Sequence, residues 1–110
     1  MRSAESKYAD LVARMKPRRG VAHITEGKGF GSSGQLKVDG RIFAMLVRGS
    51  LVVKLQRERV AGLVEAGDGD YFDAGKGRPM REWFVLSSIS SKRWLPLAEE
   101  ALEFVKEAKS

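Results

Sequence analysis

The chain has 110 residues, 43% of them hydrophobic, no cysteine and a net charge of +6; that is enough for one packed core, and it excludes disulfides and thiolate metal sites. The charge is uneven, with 13 Lys and Arg against 5 Asp and Glu in residues 1–59 and 7 against 9 in residues 60–110. The longest strongly apolar stretches, Ile42–Val47 and Leu51–Val53, are too short to span a bilayer, and no apolar run of the signal-peptide kind follows the basic start, so a cytoplasmic protein with no membrane partner is expected.

A first helix is predicted from about Ser3 to Lys16. Tyr8, Leu11, Val12 and Met15 recur at helical spacing as one apolar stripe, and Pro17 disfavours helix at the residue before it. Arg18 to about Ser33 reads as a loop, because Gly27, Gly29 and Gly31 crowd it. Strand patterning then begins. Leu36 and Val38 alternate with Lys37, Asp39-Gly40 follows, and Arg41–Val47 is a longer apolar run. Asp-Gly between two such runs is a strong hairpin signal, since both residues tolerate positive φ. Arg48-Gly49-Ser50 supplies a second turn into a third strand, Leu51–Leu55. Tight turns make these three an antiparallel meander, because parallel neighbours need long crossovers.

A second helix is predicted from about Arg57 to Ala66, with Val60, Leu63 and Val64 inward and Gly67 as its terminator. Residues 68–79 form a turn-rich connection broken by the Tyr71-Phe72 pair, and Arg81–Leu86 is a fourth strand in which Trp83 is expected in the core rather than as a base-stacking platform. A last helix runs from near Arg93 to about Ala108, with Trp94, Ala98, Ala101, Val105 and Ala108 as its stripe. Pro96 is tolerated in its first turn, and the glutamates mark its solvent face. The expectation is one α+β domain over residues 1–110, in the order α-β-β-β-α-β-α. Its antiparallel sheet, a meander of three strands plus at least one more, is covered by helices on one face.

Catalytic and metal motifs fail on inspection. The glycines at 27, 29 and 31 do not lead into Gly-Lys-Ser/Thr and a helix, as a phosphate-binding loop requires. Asp68, Asp70 and Asp73 lack the spacing of a calcium loop, since the fifth position is Phe72 and the twelfth is Pro79. His23 is the sole histidine and has no cysteine to join it as a metal ligand. Ser32 or Ser33 would meet it as a nucleophile only by accident of folding. No catalytic residue, cofactor or metal is therefore assigned, and a non-enzymatic protein is expected.

The basic residues are the remaining candidates. Arg14, Lys16, Arg18 and Arg19 cluster at the end of the first helix, Lys28 lies in the glycine loop, and Lys76, Arg78 and Arg81 surround the second glycine-rich segment. Such loops suit phosphate contacts, because backbone N–H groups add to the side-chain charge. DNA is the favoured partner on this ground. A protein partner, or a homodimer formed through an open sheet edge, is the alternative.

The stretch from Phe30-Gly31 through Gln35-Leu36-Lys37-Val38-Asp39-Gly40-Arg41 to Phe43-Ala44, with Leu51–Leu55 after it, resembles the TfoX N-terminal domain family. The resemblance extends over roughly Tyr8 to Val105, and its distinctive part is the hairpin. Arg78-Pro79-Met80-Arg81-Glu82-Trp83 departs from that pattern and looks more like the YjbR/MmcQ family, which places a basic residue and a tryptophan before its last strand. The resemblance implies a compact α+β domain without enzyme activity. It also implies a regulatory role, as in competence, or DNA binding, as proposed for YjbR-like proteins. The second, helical domain of full-length TfoX proteins has no counterpart in these residues, so the regulatory role is not expected to carry over whole.

Overall fold

The computed structural model describes residues 3–24, 34–72, 80–87 and 93–108. These form α1 (Ala4–Met15), β1 (Val21–Ile24), β2 (Gln35–Val38), β3 (Arg41–Val47), β4 (Ser50–Lys54), α2 (Arg57–Glu65), β5 (Gly69–Phe72), β6 (Met80–Leu86) and α3 (Trp94–Ala108). The α+β class and the helix-covered antiparallel sheet are as expected. The element order is α-β-β-β-β-α-β-β-α, two strands more than the sequence suggested. β1 lies inside the stretch read as a loop, and β5 inside the stretch read as a turn-rich connection. Both have only four residues and both are outer strands of the sheet, whose order is β1-β2-β3-β4-β6-β5. A short strand with a single neighbour owes its pairing to that neighbour and needs little apolar signal of its own.

Local chemistry explains the helix limits. The hydroxyl oxygen of Ser3 accepts a hydrogen bond from the Ser6 N–H at 3.1 Å, a side-chain cap on α1. At the end of α2 the Gly67 N–H donates to the Val64 carbonyl and the Asp68 N–H to the Leu63 carbonyl, each at 3.0 Å. That pair of bonds is the Schellman stop, with Gly67 in the left-handed position. The Asp39-Gly40 hairpin has φ of 51° and 84°, and Arg48-Gly49 has 51° and 80°. Positive φ at both central residues gives the twist that two-residue hairpins favour, so β2-β3 and β3-β4 close by the same turn chemistry.

Every neighbouring pair of strands is antiparallel. The register aligns Leu36 with Ala44, Ala44 with Val53, Val53 with Phe84 and Phe84 with Tyr71, a row that crosses five strands on one face. Leu36, Ala44, Val53 and Phe84 of this row belong to the core cluster, with Tyr71 packed against it, together with Tyr8, Leu11, Val12 and Met15 of α1, Val60 and Leu63 of α2, and Leu97, Ala98, Ala101, Leu102 and Val105 of α3. The stripes expected on α1 and α2 therefore face the sheet. On α3 the stripe is broader than expected and gains Leu97 and Leu102. A bulge at Phe43, where Leu36 pairs with Ala44 but Lys37 with Ile42, keeps Phe43 fully buried in the same core.

The other face carries Met45, Val52, Lys54, Trp83 and Val85, because these alternate with the helix-facing residues of their strands. Trp83 is half-buried on this face and is absent from the core cluster, contrary to the sequence expectation. The physical reason is the two-residue period of a strand. Phe84 and Leu86 turn toward the helices, so Trp83 and Val85 must turn away.

Candidate anion-binding clefts

Among the described residues, two clefts lined by basic side chains lie at opposite ends of β4. The first is bounded by α1, the β3-β4 turn and the start of α3, and has a volume of about 620 Å³. Lys7, Asp10 and Arg14 line it from α1, where spacings of three and four residues put them on one face. Arg93 and Trp94 line it from the opposite wall, and Ser50 and Ser87 add hydroxyl groups. Among the described residues of the lining, Asp10 is the single acid against three cations. Trp94 opens a helix of 15 residues, so the positive end of the α3 dipole lies beside the cations. The Lys7 ammonium sits 5.1 Å from the centre of the Trp94 ring.

The second cleft lies where β4 ends, α2 begins and β6 enters the sheet, with a volume of about 610 Å³. Lys54 and Trp83 are cross-strand partners here, and the Lys54 ammonium lies 5.8 Å from the centre of the indole. Arg57 and Arg81 add positive charge, and Glu58 and Glu82 add negative charge.

The candidate residues read from the sequence are thereby separated. Arg14 lines the first cleft. Lys16 and Arg19 are exposed just beyond α1. Arg18 is held in an ion pair with Glu99 of α3. Arg81 lines the second cleft. Leu86 lines the first cleft and Arg81 the second, five residues apart on one strand, so the two sites stand about 17 Å apart. Lys28, Lys76 and Arg78 lie outside the described residues, as do Ser32, Ser33 and Asp73. Lys7 and Arg93 were missed by sequence reasoning, although Lys7 stands two helical turns before Arg14 and could have been found by that spacing. Lys54 was missed because its strand reads as apolar. The glutamates of α3 are more than a solvated face, since Glu99 pairs with Arg18 and Glu100 with Arg59 at 2.9 Å.

His23 lies on β1, half-buried, with its ring edge-on to Tyr8 at 6.2 Å between centres. The Tyr8 hydroxyl donates to the Gly34 carbonyl at 3.1 Å, and burial pushes its pKa well above the ordinary value. Within the segment weighed as a calcium loop, Gly69–Phe72 form strand β5, where Asp70 accepts from the Tyr71 N–H at 2.8 Å. Among the described residues, no group of three or more His, Asp or Glu is placed to hold a metal ion, and no helix is long and apolar enough to cross a membrane.

No protein-family model, no curated protein and no solved structure matches the chain.

Proposed function

We propose that this α+β domain is a non-enzymatic binding module for a polyanion, with DNA as the partner, and that the cleft between α1 and α3 is its phosphate-contacting surface. The observation that carries this reading is the convergence of Lys7, Arg14 and Arg93 on one cleft in which the single described acid is Asp10. Arg18 is paired with Glu99, whereas Arg14 and Arg93 line the cleft at the positive end of α3. Phosphate oxygens are bound by such combinations of guanidinium groups and helix N-termini. Lys16 and Arg19, exposed just past α1, add positive charge outside the cleft. The resemblance of the hairpin to TfoX N-terminal domains and of Arg78–Trp83 to YjbR-like proteins supports a regulatory, DNA-associated role in the cytoplasm.

Fluorescence anisotropy with a labelled duplex, at two salt concentrations, tests the reading. Affinity is expected to fall with a log–log slope of about −0.9 per phosphate contacted. Arg14→Glu and Arg93→Glu are each expected to weaken binding regardless of sequence and to reduce that slope by about 1. Absence of duplex binding at low salt ends the proposal.

A further inference from the structure

The second cleft has a composition that a duplex-binding surface does not need. Its indole lies on the face of the sheet opposite the helix-packed core, half-exposed, with a lysine beside it. We propose that this cleft is a separate subsite for an unpaired nucleobase together with its phosphate, with Trp83 as the stacking platform. A flat aromatic surface on a sheet, next to cations, is the chemistry by which proteins hold single-stranded nucleic acid.

The lining fits that ligand better than it fits a bare anion. Lys54, Arg57 and Arg81 supply the positive charge, but Glu58 and Glu82 stand among them. Two carboxylates oppose an isolated phosphate. A nucleotide offers a phosphate to the cations and N–H donors on its base to carboxylate oxygens, as cytosine does through its amino group. Glu58 is steadied by the Gln56 amide, which donates to it at 3.2 Å. Lys54 rests against the indole and makes no ion pair among the described residues. Its ammonium can therefore move onto a phosphate while the base takes the ring. The opening of about 610 Å³ lies within the range of small-ligand sites. The site sits at the other end of β4 from the α1–α3 cleft, so it does not depend on the duplex reading.

The test uses the full chain with Trp94→Phe, which leaves Trp83 as the sole tryptophan. A short oligodeoxycytidylate is expected to quench Trp83 fluorescence, and an abasic strand of equal length is expected to do so weakly or not at all. In the otherwise unaltered chain, Trp83→Leu should weaken oligodeoxycytidylate binding between about fivefold and 150-fold, the range set by loss of one stacked base. Trp83→Phe should restore most of it, and Arg14→Glu should leave the quenching in place. Deoxycytidine monophosphate serves as the second ligand. Quenching by it marks a site for free nucleotides, and quenching by the strand alone marks a strand subsite. Equal binding of the abasic and cytidylate strands to the unaltered chain overturns the proposal, whether or not Trp83→Leu folds. So does a folded Trp83→Leu chain, judged by its thermal transition, that binds as tightly as the original.

Discussion

At the scale of single residues, Tyr8 joins packing to polar chemistry. Its ring is 1% exposed and belongs to the core, while its hydroxyl reaches the Gly34 carbonyl across 26 positions of sequence. Burial disfavours the phenolate, so the folded pKa lies above the unfolded one. Below about pH 10 both states keep the proton and the contribution is fully present. Above that pH the unfolded phenol ionises and the folded one does not, so stability falls, by at most about 1.4 kcal/mol per pH unit. Tyr8→Phe is expected to cost about 1 kcal/mol at neutral pH and to flatten this alkaline loss. Chemical denaturation of both proteins at neutral pH and above pH 10 measures the difference; equal alkaline slopes would show that Tyr8 does not cause it. Gly69 shows a second constraint at this scale. A Cβ there would collide with the Val85 carbonyl oxygen and the Phe84 ring, so the outer strand β5 approaches β6 where only glycine fits.

At the scale of elements, the two hairpins use the same turn with unequal residues. Asp39-Gly40 suits positive φ at both positions, but Arg48-Gly49 places an arginine at φ 51°. An arginine has no short side chain to bond the local backbone there, and the left-handed region costs such a residue roughly 1–2 kcal/mol. Arg48→Asn is expected to raise stability by about 0.5–1 kcal/mol. A higher midpoint in urea with an unchanged slope would confirm it, and a lower midpoint would refute it. The elements themselves were legible unevenly. The α1 stripe, the Asp39-Gly40 turn and the Gly67 stop could be read directly, because each rests on contacts within a few residues. Strands β1 and β5 could not, because their four residues pair only with β2 and β6.

At the scale of the molecule, α3 joins the other helices through its glutamates. Glu99 pairs with Arg18 after α1, and Glu100 with Arg59 of α2. Both pairs are more than a third exposed, so they orient the helices more than they stabilise the fold. A double-mutant cycle on Arg18 and Glu99 is expected to give a coupling of at most about 1 kcal/mol that shrinks with added salt. A larger, salt-independent value would mean that the pair is effectively buried.

The sequence by itself determined the α+β class, the central meander and the helix faces that form the core, because those follow from residue periodicity and turn chemistry. It also showed that positive charge is concentrated in residues 1–59. Only the tertiary structure decided how that charge is divided. It turned Trp83 out of the core, tied Arg18 to Glu99, and set Arg14 and Arg81 in clefts at opposite ends of one strand. The reason is that charge is additive along a chain, but a binding surface depends on which side chains face the same solvent, and that is fixed by strand register and helix docking.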